Sequence, residues 1–164
     1  MFKLNEYVVY KKDVCIVKEI KKNYFHNKDY YILEPINDKT LKINIPTDNK
    51  DLRNLITKEE LTKIINKIPK VNIITTDDKL IEMEYKELLK NNNLLDLVKI
   101  IKTSYLRNKK RLDNNKKVGE KDQNYFELAE KYLYTEFSIV LNLTYNDTKK
   151  YIIDEIAKLD TKNT

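Results

Sequence analysis

The chain of 164 residues is poor in the small and sulfur-containing residues, with one Gly, one Cys and three Pro, and it has no Trp. A single glycine excludes the glycine-rich loops that hold nucleotide phosphates. The single cysteine, Cys15, excludes an intrachain disulfide and a metal cluster built on several cysteines. No apolar run approaches the ~20 residues that cross a bilayer, and the first residues lack the apolar stretch of a signal peptide. We therefore expect a soluble, cytoplasmic protein.

The remaining composition is that of a folded chain with a cationic balance. Hydrophobic residues make up 41% of the sequence and charged residues 35%, so a core can form beneath a strongly solvated surface. The net charge is +6, which favours polyanionic partners such as nucleic acids. Residues 1–70 carry 15 basic and 10 acidic side chains, whereas residues 71–164 carry 17 and 16. The second half is therefore almost neutral.

The first part of the chain has the pattern of short strands. Its β-branched and aromatic runs are Tyr7–Tyr10, Val14–Val17, Tyr30–Leu33 and Leu41–Ile45. Turn-forming residues separate these runs, as at His26-Asn27-Lys28-Asp29. Four or five short strands joined by tight turns predict a small, curved, antiparallel barrel-like sheet.

After Pro46 the apolar residues change to helical spacing. Thr57 and Glu60 form a capping box at the start of a short helix, which Pro69 ends. Later apolar stripes predict four more helical segments. One of them has an apolar stripe of Leu94, Leu97, Val98, Ile101 and Tyr105. Another is a long helix that starts at Gly119, and the last follows an N-cap region at 144–147. We predict an α+β protein of two modules: residues 1–68, a Tudor-like β module ending in a short helix, then a connector at 69–78 and a compact all-α domain at 79–164.

Three stretches carry a resemblance to a known family. They are Phe2–Tyr10 (FKLNEYVVY), Leu41–Pro46 (LKINIP) and residues 119–137 with their Gly-Glu-Lys start. In this order they resemble the CarD/CdnL family, in which a Tudor-like module precedes a helical module. The resemblance implies a bacterial transcription regulator that binds the β subunit of RNA polymerase through a sheet edge. It also implies weak, non-specific contact of the helical module with upstream promoter DNA, an effect on open-complex stability, and no catalysis.

The resemblance also implies site residues. The polymerase-binding residues would be Asn23, Lys42, Ile43, Asn44, Ile45 and Pro46; Asn23 and Asn44 stand where family members can carry polymerase-contacting Arg. The family commonly inserts a Trp into the minor groove, and Ile81 aligns near that position, although a gapped alignment selects Ile74. Lys86 and Lys121 match basic positions of the family.

Cationic residues crowd the stretch from 99 to 117, where only Asp113 is acidic. They are Lys99, Lys102, Arg107, Lys109, Lys110, Arg111, Lys116 and Lys117. One interpretation is a local phosphate-binding site, for which we select Lys109, Lys110, Arg111, Lys116 and Lys117 as DNA contacts. The other is a solvated helix end whose cations favour the helix dipole.

No set of residues predicts catalysis, a metal site or a cofactor. His26 lies in a turn without neighbouring ligands, Glu60 serves as a helix cap, and Cys15 has the surroundings of a core residue. The sequence leaves one alternative function open, namely a protein–protein adaptor with a Tudor-like module and no direct DNA role. The near-neutral second half and the missing Trp favour that alternative.

Overall fold

The computed structural model describes residues 1–91 and 93–162 of the chain. It divides into two compact units, Met1–Ile56 and Thr57–Thr164. The first unit contains an antiparallel sheet and the second contains helices, which confirms the predicted α+β class.

The sheet of the first unit has five strands. They are β1 (Tyr7–Tyr10), β2 (Asp13–Phe25), β3 (Lys28–Pro35), β4 (Ile43–Pro46) and β5 (Leu52–Arg53). The spatial order is β4-β3-β2-β1-β5, and every neighbouring pair is antiparallel. Within residues 1–56, all of which are described, β4 and β5 do not pair with each other, so the sheet stays open.

Tight turns set the register of this sheet. Strands β2 and β3 are joined by His26 and Asn27, whose φ angles of 50° and 58° lie in the left-handed region. Two successive left-handed residues form the kind of two-residue turn that matches the natural twist of a hairpin. The register shifts between Val17 and Glu19 and again between Lys21 and Phe25. Such bulges bend a strand and increase its twist, which gives a short sheet its curvature.

One face of the sheet carries the core of the first unit. Its buried members are Val8, Cys15, Val17, Tyr31, Leu33 and Ile45. The Tyr31 ring is buried, and its hydroxyl accepts a hydrogen bond of 3.0 Å from the Phe2 backbone N–H. Cys15 is fully buried, and desolvation raises the pKa of its thiol from 9.0 to about 12. The expectation that Cys15 serves as a core residue is confirmed.

The second unit contains five α-helices and one short 3-10 helix among its described residues. They are α1 (Lys58–Lys67), the 3-10 helix Ile68–Lys70, α2 (Ile81–Lys90), α3 (Leu94–Asp113), α4 (Glu120–Leu141) and α5 (Tyr145–Lys162). The Thr57 hydroxyl accepts from the Glu60 N–H at 3.1 Å, and the Thr144 hydroxyl accepts from the Asp147 N–H at 3.1 Å. These bonds confirm both predicted caps. No described helix is long and apolar enough to serve as a membrane span.

Helix α1 belongs to the second unit, whereas the sequence predicts it as the end of the β module. It buries Leu61 and Ile65, and it packs against α5 and α4. The units therefore divide between Ile56 and Thr57, whereas the sequence places the end of the β module at residue 68. The reason is that the apolar stripe of α1 finds its partners on later helices, which a local pattern does not reveal.

The buried face of α3 includes Leu97 and Val98 of the predicted stripe but differs from that stripe further along the helix. Leu97, Ile100, Ser104 and Asn108 are buried at helical spacing, while Tyr105 is 55% exposed. The assignment of Tyr105 to the apolar stripe is therefore wrong. Two polar residues complete the real face because their polar groups have partners: the Ser104 hydroxyl donates to the Ile100 carbonyl at 2.7 Å, and the Asn108 side-chain oxygen accepts from the Gly119 N–H at 2.9 Å.

Candidate functional site

The outer edge of β4 is the first candidate surface, and we call it the β4 edge. The Thr47 N–H donates to the Asp29 carbonyl at 3.0 Å, which makes this pair a hydrogen-bonded pair of the β3–β4 ladder. Bonded and non-bonded pairs alternate along an antiparallel ladder. Ile45 and Ile43, paired with Tyr31 and Leu33, therefore direct their backbone groups to β3. Asn44 directs its N–H and C=O outward, and so does the Pro46 carbonyl.

The side chains of the β4 edge divide in the same alternating way. Ile45 is 4% exposed and belongs to the core, and Ile43 packs partly against it. Asn44 and Lys42 are exposed, and Lys42 lies just before the strand. Pro46 has no N–H, and its place on the non-bonded side leaves no donor unsatisfied. The outward backbone groups within β4 are thus one N–H and two carbonyl oxygens.

Asn23 lies across β3 from the end of β4. Its φ of 46° is left-handed, a conformation that Asn adopts more easily than most residues. Its backbone N–H donates to Asp29 Oδ1 at 3.0 Å, and this bond, followed by one from Lys22, lowers the pKa of Asp29. The Asp29 carbonyl also accepts from Thr47. Asp29 therefore links the exposed Asn23 to the end of the β4 edge.

Two cations of the 99–117 stretch are bound inside the second unit. Lys102 Nζ donates to the carbonyl oxygens of Ile68 at 2.9 Å and Val71 at 2.8 Å, which fixes the turn that follows α1. Arg107 Nε lies 3.1 Å from both carboxylate oxygens of the buried Asp122. These side chains serve the fold, and Lys102 is not available to an outside ligand.

Asp122 is the centre of a buried polar network. It is 2% exposed, and besides Arg107 it accepts a hydrogen bond of 2.7 Å from the hydroxyl of the fully buried Tyr85. Burial and then the bond to Asp122 raise the pKa of Tyr85. The network joins α2, α3 and α4 and fixes the guanidinium of Arg107 at the surface.

Around this guanidinium lies the second candidate surface, which we call the basic pocket. It has a volume of about 420 Å³ and is lined by Asp78, Arg107, Lys110, Arg111, Asn114 and Lys116. Arg107 Nη1 lies 2.7 Å from Asp78 Oδ1. Hydrogen bonding and attraction from Arg107 lower the pKa of Asp78, and Arg111 and Lys110 add to this effect. The pocket therefore holds four cations around one exposed carboxylate.

The predicted DNA contacts are only partly brought together. Lys110, Arg111 and Lys116 line the basic pocket, whereas Lys109 lines an apolar pocket of about 220 Å³ beside Tyr105 and Phe126. Lys117 is exposed in the segment between α3 and α4. Among the described residues, these five side chains form no ion pair.

Lys86 and Lys121 meet at a carboxylate. Lys121 Nζ lies 3.0 Å from Glu82 Oε2, and Lys86 Nζ lies 3.6 Å from Glu82 Oε1. The hydrogen bond from Lys121, with the charge of both lysines, lowers the pKa of Glu82. Both lysines are exposed, so these pairs are weak and the ammonium groups can reach an outside anion.

The structure does not support Ile81 as a side chain that wedges into DNA. Ile81 is 4% exposed, because the first turn of α2 directs it into the helical core. The alternative position, Ile74, is half-buried, and its backbone N–H donates to Thr103 Oγ1 at 3.0 Å. The exposed apolar side chains nearby are Leu80 and Met83, at 46% and 67%.

The comparisons with known proteins concern the first unit. Residues 2–58 match the family model described as the CarD-like/TRCF RID domain. No curated protein matches the chain. RID domains are non-enzymatic interaction domains, and the match supports a transcription-related protein that interacts with RNA polymerase. Residues 2–58 are therefore similar to the CarD-like/TRCF RID domain, which is consistent with a CarD-like family.

Proposed function

We propose that this protein regulates transcription by binding the β subunit of bacterial RNA polymerase through the β4 edge. In this proposal the helical unit contacts upstream promoter DNA without sequence specificity and changes the stability of the open complex. The observation that carries the proposal is the unpaired outer edge of β4 within an RID domain. The other edge strand, β5, has only two residues and offers less backbone to a partner.

The β4 edge has the properties that strand addition needs. Added strands bind through the backbone, so the affinity depends on free N–H and C=O groups more than on side chains. Asn44 supplies one of each, while Ile43 and Ile45 keep the strand anchored to the core. Pro46, which cannot donate, limits the length of pairing and sets its register.

The proposed DNA contact relies on local cations. Contacts to the phosphate backbone position a protein without reading sequence, and lysine and arginine supply them. We assign this role to seven cationic residues of the helical unit. Three of them lie around the basic pocket, Lys110, Arg111 and Lys116, and four lie elsewhere, Lys109, Lys117, Lys86 and Lys121. Such binding is weak and falls steeply with salt concentration.

One observation favours the adaptor as a second candidate. Glu82 pairs with both Lys86 and Lys121, the two positions that match basic residues of the family, and this partly cancels their charge. An adaptor of this kind would bind polymerase through the same β4 edge and would show no affinity for DNA.

The polymerase contact can be tested with two substitutions at one position. Asn44→Pro removes the outward N–H and leaves the bonds to β3 intact, whereas Asn44→Thr keeps the N–H and changes the side chain. We expect Asn44→Pro to weaken binding of the full chain to the purified β subunit by about tenfold or more, because a backbone hydrogen bond is lost and the proline ring blocks the approach. Asn44→Thr should bind like the native protein. Equal binding by both variants excludes strand addition at this edge.

The DNA contact can be tested by charge reversal. Replacing Lys109, Lys110 and Arg111 by Glu should abolish duplex binding at low salt. The matched control replaces Lys63, Lys131 and Lys150 by Glu; these are exposed lysines on α1, α4 and α5, and this variant should retain most of the affinity. If both variants lose affinity equally, overall charge rather than this surface binds DNA. If the native protein does not bind duplex at all, the adaptor is correct.

A further inference from the structure

Asp78 occupies an unusual position among the residues of the basic pocket. Its carboxylate is the one acidic group in the lining, and its side chain is 83% exposed. It begins the turn at residues 78–80 that precedes α2, directly after residues 71–77, which have no regular secondary structure. An exposed carboxylate on such a segment can leave its partner at little cost, because exposed ion pairs contribute little to stability.

We propose that the basic pocket is a phosphate-binding site in which Asp78 competes with the phosphate as an internal occupant. The carboxylate oxygens of Asp78 stand where phosphate oxygens would bind, and an incoming phosphate displaces them. The proposal deepens the proposed DNA contact and rests on it for one source of the phosphate, the nucleic-acid backbone. The other source is a free phosphate compound, and the shared ligand chemistry is the phosphate oxyanion.

Arg107 of the pocket is held in place before any ligand binds, and Arg111 lies close to Gly119. Arg107 is fixed by two contacts of 3.1 Å from its Nε to Asp122, so its Nη1 is presented to the pocket. Arg111 lies against the backbone of Gly119, where an added Cβ would be 2.9 Å from the guanidinium carbon Cζ. Guanidinium groups are suited to planar, bidentate recognition of phosphate, and the pocket presents two of them.

The charges of the pocket suit replacement of the carboxylate by a phosphate. The four cations are Arg107, Lys110, Arg111 and Lys116, and the buried Asp122 balances the first of them. With Asp78 in place the pocket keeps an excess of positive charge. A phosphate carries at least one negative charge, so it replaces the negative charge that leaves with the Asp78 carboxylate. The lowered pKa of Asp78 keeps this competitor ionised at neutral pH.

The test removes the competitor. Asp78→Asn keeps the shape of the side chain and deletes its charge, and Asp77→Asn deletes the same charge at the adjacent exposed residue, which does not line the pocket. Binding of inorganic phosphate to the full chain would be followed by amide chemical shifts. We expect Asp78→Asn to bind about three- to fivefold more tightly than Asp77→Asn, which is the upper part of the range that exposed charge pairs give. No difference between the two variants would overturn the proposal.

Two further measurements complete the test. Adding Lys110→Gln and Lys116→Gln to Asp78→Asn should remove the gain in phosphate affinity, and persistence of the gain would place the site elsewhere. The unfolding midpoint of Asp78→Asn should equal that of the native protein. A lower midpoint without a gain in phosphate affinity would show that Asp78 stabilises the fold and would refute its role as a competitor.

A second titration with duplex DNA distinguishes the two sources of phosphate. If Asp78→Asn binds both inorganic phosphate and duplex more tightly, the nucleic-acid backbone is a ligand of the pocket and both proposals are supported. If it gains affinity for inorganic phosphate while neither variant binds duplex, the pocket is a site for a free phosphate compound, and only the proposed DNA contact fails. If duplex binds with charge-dependent affinity but Asp78→Asn gives no gain, only the competition by Asp78 fails.

Discussion

Replacing Tyr85 by Phe should destabilise the helical unit by about 2 kcal/mol, the range for a hydrogen bond to a charged group. The Tyr85 ring is fully buried, and its hydroxyl lies 2.7 Å from Asp122 Oδ1. Phe fills nearly the same volume, so little cavity energy is added. Asp122 keeps its contacts with Arg107, which limits the loss to a single bond.

Every described helix lies in the second unit, so far-ultraviolet circular dichroism reports the unfolding of that unit. A urea titration followed in this way measures the change in the free energy of unfolding. The matched control is Tyr125→Phe: the Tyr125 ring lies 5.0 Å from that of Tyr85, but its hydroxyl makes only a long contact of 3.4 Å to Glu82 Oε1. The control should lose less than about 1 kcal/mol. Equal losses for the two variants would refute the special role of the Tyr85–Asp122 bond.

The same hydroxyl predicts a dependence of stability on pH. Burial and Asp122 raise the pKa of Tyr85 above the ordinary value of 10.0. The folded state therefore keeps the proton under conditions in which the unfolded state releases it, and the contribution to stability is fully present below pH about 10 and falls as the pH rises toward the raised pKa. Tyr85→Phe should flatten this alkaline decline. An unchanged decline in the variant would assign it to other groups.

Three further experiments test the burial of Cys15, the burial of Ile81 and the contact between Gly119 and Arg111. Cys15 should resist alkylation at pH 8 in the native protein and react once the chain unfolds, because a pKa of about 12 instead of 9.0 lowers the thiolate fraction roughly a thousandfold; rapid labelling of the native protein would contradict its burial. Ile81→Ala should destabilise the helical unit by about 2–4 kcal/mol, as measured by urea unfolding, and a loss of DNA affinity at native stability would restore Ile81 as a wedge. Gly119→Ser should supply a good N-cap for α4, yet weaken phosphate binding because its Cβ displaces Arg111; phosphate affinity at the native level would show that this contact does not orient Arg111.

Local features of the fold could be read from the sequence because local chemistry decides them. Strand β1 occupies Tyr7–Tyr10 as predicted, and the cap at Thr57 follows from a hydroxyl three residues before Glu60. The turn at His26 and Asn27 also lies where the polar cluster predicts it. In each case a few consecutive residues determine the local structure.

The orientation of α2 could not be read in this way. Leu80, Ile81 and Met83 are close together and all apolar, so helical spacing alone does not select the one that is buried. Contacts with the rest of the helical core bury Ile81 and leave the other two exposed. An alignment to the family's Trp position therefore identified a residue that the core uses.

The buried network was missed for a related reason. Tyr85, Arg107 and Asp122 are far apart in the chain, and each has the ordinary appearance of a residue on a polar helix face. A charge count assigns Arg107 to a basic surface, whereas the fold gives it two carboxylate partners, Asp122 and Asp78. Patterns in one sequence show which residues are charged but not which of them meet.

Docking through the β4 edge is tested most directly by amide hydrogen exchange of β4 with and without RNA polymerase. In the free protein the Asn44 N–H faces outward, while the N–H groups of Ile43 and Ile45 are bonded to β3. If the protein docks through the β4 edge, polymerase slows exchange at Asn44 markedly and leaves the protection of its two neighbours almost unchanged. Polymerase binding without new protection at Asn44, or with protection on β5 instead, would contradict docking through the β4 edge.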